Sequence, residues 1–264
     1  MSPDWFLYIT LAFYALGTAS ALLAVIRRSP VLQKPALALM TAGLITHTFW
    51  IGSICVRTGH APITNLPETA SFIAWTILVI KLLLHFRYRI QGANFFIYPL
   101  VLILLTLSAV IGESIEPLEP ALRSRVFIGH LLLTNLGVAA LLIAGGFTIL
   151  YLIQEKAVRE KRQSALSAWL PSLRACDQIS YRALAIGFSI YTAGIFTGFI
   201  WSYMTPESTS GLGAKEIGAF VAWLMFAALL QSHLSGNYRT RKNLVIAAVA
   251  FASILVSILG IQHA

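Results

Sequence analysis

The sequence has few charged residues. Aspartate, glutamate, lysine and arginine together make up 11% of its 264 positions, whereas hydrophobic residues make up 58%. Soluble domains typically carry about a quarter of their residues as charged side chains, so this composition excludes an ordinary soluble protein. The chain has only 2 cysteines, and neither Cys55 nor Cys176 has cysteine or histidine neighbours at the spacing of a metal site. A disulfide framework and a structural zinc site are therefore excluded.

Common catalytic motifs are also missing. The chain has no Walker-type phosphate-binding loop, no Gly-x-Ser-x-Gly elbow, no HExxH helix and no glycine-rich dinucleotide fingerprint. Each of these motifs places a nucleophile, a metal ion or a phosphate group on a defined turn or helix. The sequence therefore predicts no catalytic residue.

The sequence does contain long hydrophobic runs. A helix of about 20 apolar residues crosses roughly 30 Å of hydrocarbon, and its backbone polar groups are satisfied within the segment. Eight runs approach this length, at residues 5–25, 36–56, 70–84, 94–111, 126–153, 181–203, 217–232 and 244–262. Since no long linker separates them, the sequence predicts an all-α bundle of eight transmembrane helices in a single domain over residues 1–264.

The basic residues predict the orientation of this bundle. If the amino terminus lies outside, all but four of the 19 lysines and arginines fall on the inner side. The four exceptions are Arg57, Arg123, Arg125 and Lys215. By the positive-inside rule, both termini are expected on the outer side of a cytoplasmic-type membrane. The net charge of +9 then belongs to inner loops facing anionic lipid headgroups, so no nucleic-acid partner is predicted.

Two of the six histidines fall at matching depth on the outer side. His130 lies about one turn into the fifth run, and His263 ends the eighth. Imidazole is a common axial ligand of haem iron, and two opposed imidazoles would fill both axial positions. Alternatively, His130 is an interfacial hydrogen bonder and His263 belongs to a frayed terminus.

The remaining histidines have simpler interpretations. His233 closes the seventh run on the inner side, where it could ligate a cofactor or anchor the helix. His85 is expected to reach the headgroups together with Lys81 and its other basic neighbours. His47, near the middle of the second run, is expected to be a neutral ring that hydrogen-bonds a neighbouring helix.

An outer segment before the third run has a helix-capping pattern. Asn65 and Glu68 have the three-residue spacing of a capping box. Glu68 is also a candidate anion near any cofactor bound on this side, facing outward. His60 begins the same segment, which reads HAPITNLPE.

Three groups of motifs, in this order along the chain, resemble the cytochrome c assembly proteins of the CcsA and HemX type. The first is GHAP at residues 59–62 with Asn65, Glu68 and Trp75. The second is DQISYR at 177–182, followed by GF at 187–188, TG at 197–198 and Trp201. The third is KE at 215–216, followed by WL at 223–224 and His233. The resemblance covers nearly the whole chain.

The resemblance implies a set of haem ligands. His130 and His263 match the family's two outer haem-ligating histidines, and His233 matches the histidine of an inner haem site. His60, Glu68 and Trp201 are further expected among the residues that bind the cofactor. The expected cofactor is a non-covalently bound b-type haem.

The chain departs from this family at one outer loop. Members that attach haem carry a tryptophan-rich loop ending in Trp-Asp-Pro-Lys-Glu, but residues 203–214 read YMTPESTSGLGA, and only Lys215 and Glu216 remain. This loss argues against haem-ligase activity and favours a HemX-like member. The HemX resemblance implies a role in haem homeostasis, with a haem-biosynthesis enzyme or a membrane assembly protein as partner at the basic inner loops.

The predicted function is therefore haem trafficking, cytochrome c biogenesis or haem homeostasis, with outer ligation by two histidines. The alternative is a haem-free membrane regulator or scaffold that acts on such enzymes through its inner loops. The presence or absence of bound haem distinguishes the two.

Overall fold

The structure is a computed structural model that describes residues 4–88, 92–112, 124–161, 170–205, 214–236 and 241–259. The helices within these ranges are α1 (Asp4–Ile26), α2 (Gln33–Thr58), α3 (Leu66–Tyr88), α4 (Asn94–Ile111), α5 (Arg125–Arg159), α6 (Leu173–Met204), α7 (Ala214–Leu234) and α8 (Arg241–Leu259). A single turn of 3₁₀ helix, Pro30–Leu32, precedes α2.

The eight predicted runs and the predicted fold class are confirmed. Seven of the helices are long and apolar enough to cross a membrane, and α8 contains a shorter apolar stretch at Val245–Ile254 among its described residues. The described residues form a polytopic helical bundle, and the protein is a multi-pass membrane protein.

The gap between the fifth and sixth predicted runs, residues 154–180, is shorter in the structure than the sequence predicts. Helix α5 continues to Arg159, and α6 already begins at Leu173. The 35 residues of α5 give a length of about 52 Å at roughly 1.5 Å per residue, well beyond the hydrocarbon thickness. Polar residues at the inner end of α5 therefore extend the helix past the lipid, where hydropathy alone predicts a loop.

The helices pack as four antiparallel hairpins. Helix α1 packs on α2, α3 on α4, α5 on α6 and α7 on α8. Contacts of α1 with α4, α3 with α5 and α6 with α7 join the hairpins. Contacts of α2 with α3 also link the first two hairpins, and the α5–α6 hairpin lies between these four helices and the α7–α8 hairpin.

The α5–α6 contact depends on glycines on α6. A Cβ at Gly187 would lie 3.0 Å from the Leu141 backbone nitrogen, and one at Gly194 would lie 2.9 Å from the Thr134 nitrogen. On α5, a Cβ at Gly137 would lie 2.8 Å from the Tyr191 backbone. Because lipid offers no hydrophobic force between helices, such close backbone approach is what stabilises a helix pair.

A buried lysine corrects one expectation, and a buried tryptophan departs from the usual position of its residue type. Lys81 is only 2% exposed and donates to the Tyr98 hydroxyl inside the bundle, so it does not reach the headgroups beside His85. Trp50 is 1% exposed, although a tryptophan near a span end is more often an interfacial anchor. In both cases the helix face turned toward the bundle decided the position.

The expectation for His47 is confirmed. The ring is fully buried, with Nδ1 3.1 Å from the Tyr14 hydroxyl on α1 and Nε2 2.8 Å from Ser71 Oγ on α3. Both ring nitrogens have hydrogen-bond partners, so His47 ties three helices together. It is not positioned to bind a metal.

Candidate functional site

A small apolar cluster brings three chain segments together at the end of the bundle that the sequence predicts to be outer. Its buried members are Ile63, Phe127 and Leu131, and the half-buried residues packed against it are Ala61, Phe72, Leu132 and Trp201. We call these seven residues the outer cluster. It joins the loop before α3 and the first turns of α3 to the start of α5 and the end of α6.

His130 lies beside the outer cluster, on the second turn of α5. Its ring centroid is 6.3 Å from that of Phe127. Its Nδ1 is 2.7 Å from the carbonyl oxygen of Gly194, 64 residues further along the chain on α6. Because a carbonyl oxygen only accepts, Nδ1 carries the proton, and Nε2 of the neutral ring carries the lone pair. A metal-ligating histidine commonly has this arrangement.

Helix α6 provides the space in which the His130 ring lies. A Cβ at Gly198 would come within 2.7 Å of His130 Nδ1 and 2.8 Å of Cε1. Any larger residue at this position would therefore displace the ring from the Gly194 carbonyl. Gly198 belongs to the TG pair of the family motif. Its role was not predictable from the sequence, because its contact with His130 joins two helices and has no local signal.

Trp201 lies one turn beyond Thr197 on α6 and contacts the outer cluster. Its ring centroid is 4.7 Å from that of Phe127, with the planes inclined at 45°. The same Phe127 ring neighbours His130, so the structure brings these two predicted site residues to one place. Phe127, which neighbours both rings, also packs with Ile63 of the loop before α3 in the outer cluster.

Asn65 and Glu68 form the predicted capping box. The Glu68 backbone nitrogen donates to Asn65 Oδ1 at 2.9 Å, and Glu68 Oε2 accepts from the backbone nitrogen and hydroxyl of Thr64, at 2.9 and 2.8 Å. Glu68 is 6% exposed, so its carboxylate is buried against this loop, and its place on the outer side near a cofactor stays a prediction. The two hydrogen bonds from Thr64 to the Glu68 carboxylate hold in place the loop that carries Ile63 into the outer cluster.

His60 lies in the same loop, half-buried, beside Ala61 of the outer cluster. Its Nδ1 is 3.0 Å from the Ala61 carbonyl oxygen. As at His130, the carbonyl partner assigns the proton to Nδ1 in the neutral ring.

His233 lies at the other end of the bundle. Its ring stacks on Tyr181 with centroids 4.5 Å apart and planes inclined at 12°. Tyr181 is thirteen residues from Gly194 on α6, which corresponds to roughly 20 Å along the helix axis. His130 and His233 therefore belong to separate outer and inner regions, as the predicted topology requires.

The predicted partner of His130 lies outside the described residues. His263 is beyond the end of α8 at Leu259, so the pairing of His130 with His263 stays a prediction. Within the described ranges, no three histidine, cysteine, aspartate or glutamate side chains are grouped as a metal site. Both cysteines are free thiols, as the sequence predicted.

Comparison with known proteins adds to this geometry. The family model for the cytochrome C assembly protein matches residues 63–263. The chain belongs to the cytochrome c assembly protein family. The matched residues include Glu68, His130, Trp201, His233 and His263 but not His60.

Curated relatives cover most of the chain. A protein of Guillardia theta is 27% identical over 237 residues, which are 83% of this chain and 79% of the relative. A protein of Chlorella vulgaris is 29% identical over 260 residues, 86% of this chain and 80% of the relative. A protein of Prochlorococcus marinus (strain MIT 9301) is 29% identical over 227 residues, 77% and 74% of the two chains.

All three relatives are named cytochrome c biogenesis protein CcsA. The family assignment made from the motifs is thus confirmed. The comparisons give no support to the narrower HemX-like assignment, which rested on the altered outer loop.

Proposed function

We propose that this protein binds haem at the outer end of its bundle and handles it for cytochrome c assembly, with His130 as an axial ligand of the iron. The observation that carries this proposal is the hydrogen bond from His130 Nδ1 to the Gly194 carbonyl, at 2.7 Å. Family membership supports the cytochrome c part of it. The basic inner side supports a cytoplasmic-type membrane as the location.

The set of side chains at the site suits haem better than a free metal ion. A protein-bound zinc or iron ion needs three or four protein ligands, and no such group occurs among the described residues. Haem iron receives four nitrogens from the porphyrin and needs only one or two axial protein ligands. Bound haem would supply the prosthetic group that c-type cytochromes carry.

The residues around His130 have distinct roles in this proposal. Trp201 and Phe127 supply an apolar wall beside the imidazole. Glu68 acts indirectly, since its carboxylate fixes the loop that carries His60 and Ile63. His263 is the second axial ligand that the family resemblance implies.

His233 is proposed as the ligand of an inner haem. The stacked Tyr181 ring holds the imidazole in one orientation at the inner end of α6 and α7. Two sites at opposite ends of one bundle would let haem enter from the inner side and leave from the outer side. This assignment is independent of the outer one, because the two sites are separated along α6.

The altered outer loop limits the proposal to binding and handover. Residues 203–214 lack the tryptophans that family members with ligase activity carry, and we assign no catalytic residue. A partner protein would supply the surface that presents haem to an apocytochrome. Rescue of cytochrome c maturation by this chain alone, in a strain lacking its own CcsA-type protein, would contradict this limit.

A haem-free regulator is the second candidate, and one observation favours it. Helix α5 extends beyond the lipid on the inner side, where Lys156 and Arg159 pair with Glu160 and Glu155 at 3.9 and 3.3 Å. Such a projecting helix is a surface on which a soluble haem-biosynthesis enzyme or an assembly protein could dock. A HemX-like role would use this surface and leave the outer site without a function.

Absorption spectroscopy of the purified protein separates the two candidates. We expect oxidised and reduced spectra of a low-spin haem in the wild type, and loss of the outer haem signal in His130→Ala and in His130→Ala, His263→Ala. His233→Ala should remove only the inner contribution. His85→Ala is the control for loss of a histidine outside both sites and should keep both signals.

Absence of haem from the wild type would contradict the haem-binding proposal. If the wild type carries no haem, even after reconstitution with hemin, the ligand assignments are wrong. Co-purification of a haem-biosynthesis enzyme with that haem-free protein would then support the regulator.

A further inference from the structure

The hydrogen bond that orients His130 involves a third residue. The Gly194 carbonyl oxygen accepts from His130 Nδ1 at 2.7 Å and also from Thr197 Oγ1 at 2.8 Å. The Thr197 hydroxyl has only one proton, and it is also 3.0 Å from the Ala193 carbonyl oxygen. The Thr197 hydroxyl and the His130 ring are thus linked through the Gly194 oxygen, which accepts from both.

We propose that Thr197 is a positioning residue that tunes the haem iron through the Gly194 carbonyl; this inference rests on the proposed function of His130. A histidine ligand becomes a stronger electron donor when its second ring nitrogen donates a strong hydrogen bond. A carbonyl oxygen that already accepts one hydrogen bond is a weaker acceptor for another. The Thr197 hydroxyl thus moderates how strongly Gly194 draws on the His130 proton.

The position of the three groups makes this effect larger than it would be in water. Gly194 is buried in the α5–α6 contact, and both His130 and Thr197 are half-buried. Hydrogen bonds in such low-dielectric surroundings are stronger and influence one another more. Gly198 contributes by lacking a side chain, since the His130 Nδ1 atom lies only 2.7 Å from where a Cβ would be and can therefore reach the shared oxygen.

The consequence for the iron has a definite sign. Without the Thr197 hydroxyl, the Gly194 oxygen accepts more strongly from Nδ1, and electron density at Nε2 rises. A more electron-donating axial ligand stabilises the ferric over the ferrous state. The midpoint potential of the outer haem should therefore fall when the hydroxyl is removed.

Redox titration of two variants tests this inference. Both are made in a His233→Ala background, so that only the outer haem contributes. Thr197→Val, which keeps the shape of the side chain, should retain a low-spin spectrum with a lower midpoint potential. Thr197→Ser restores the hydroxyl and should return the potential to that of the background.

Thr106→Val is the matched control. Thr106 is exposed on α4, and its hydroxyl also donates to a carbonyl of its own helix, that of Leu102 at 2.7 Å. Its replacement should leave the potential unchanged. The control separates the effect at Gly194 from a general effect of removing a threonine hydroxyl from a lipid-facing helix.

The outcomes distinguish this inference from the proposal beneath it. A wild-type haem signal that depends on His130, together with an unchanged potential in Thr197→Val, overturns the tuning role and leaves haem binding intact. The same is concluded if Thr197→Ser shifts the potential as much as Thr197→Val. Absence of haem from the wild type overturns both.

Discussion

His130 shows what a polar ring needs in order to lie inside a lipid-embedded bundle. An imidazole at this depth requires a partner for its N–H, because an unpaired polar group in apolar surroundings costs several kcal/mol. The Gly194 carbonyl is that partner. In the proposed site Nε2 would be the coordinating atom, so the bond that stabilises the helix pair would also orient the ligand.

Replacement of Gly198 tests this arrangement. Gly198→Ala places a methyl group 2.7 Å from His130 Nδ1, so the ring must tilt away from the Gly194 carbonyl. We expect weaker haem binding and a loss of about 1–3 kcal/mol in the free energy of unfolding, as is typical of overpacking. Haem titration and unfolding in detergent measure the two effects.

Gly129→Ala is the control for this variant. Gly129 precedes His130 on α5, and an added Cβ would meet nothing within 4 Å. Alanine favours a helix over glycine by up to about 1 kcal/mol, so unchanged haem binding and equal or greater stability are expected. Equal haem affinity in Gly198→Ala and Gly129→Ala would show that the His130 position is irrelevant to haem.

Helices α3 and α4 depend on a different kind of contact. Lys81 Nζ lies 4.5 Å from the Tyr98 ring centroid and donates to its hydroxyl. Tyr98 is fully buried, and Lys81 is nearly so. A buried ammonium group is tolerated only where such a partner exists, and the pair therefore determines the register of α3 on α4.

Single substitutions of this pair should have unequal effects. Tyr98→Phe keeps the ring but leaves the Lys81 ammonium without this hydrogen bond, so we expect a loss of about 1–3 kcal/mol. Lys81→Met removes the buried charge itself and should be closer to neutral. Thermal unfolding in detergent provides the comparison.

Non-additivity gives the stricter test of the same pair. The double variant Lys81→Met, Tyr98→Phe should be no less stable than Tyr98→Phe alone, because no ammonium remains to be satisfied. Tyr8→Phe, at an exposed position on α1, controls for loss of a tyrosine hydroxyl. If the two effects simply add, the two side chains do not depend on each other.

At the scale of the whole molecule, topology separates the two candidate haem regions. His130 and Trp201 lie on either side of Phe127 at one end of the bundle, and His233 with Tyr181 lies at the other. Helix direction alternates along the chain, and the basic residues gather at the end where His233 lies. The orientation therefore decides which haem region faces the cytoplasm.

Labelling of introduced cysteines tests the orientation. In a Cys55→Ser, Cys176→Ser background, Arg57→Cys should react with a membrane-impermeant maleimide from outside intact cells. Ser235→Cys, at the end of α7 beyond His233, should react only in inverted vesicles. Both positions are exposed, so access depends on the side of the membrane. Reversed labelling would place His233 outside and contradict the direction of haem handling.

The sequence by itself determined the number and order of the helices, and it predicts their direction across the membrane. The length of each apolar run is set by the thickness of the hydrocarbon layer, and the charge of each loop by the side it faces. Both quantities are local, so they can be taken directly from the chain. The capping box at Asn65 and Glu68 was predictable for the same reason, since its partners lie within four residues.

Only the tertiary structure decided which helix faces meet. A helix in lipid is apolar on all sides, so its sequence lacks the periodic pattern that marks the packed face of a soluble helix. The inward position of Trp50 and Lys81 and the place of α1 beside α4 therefore had no local signal. The link from His130 through Gly194 to Thr197 had no local signal either, because His130 on α5 and Gly194 on α6 lie 64 positions apart in the chain.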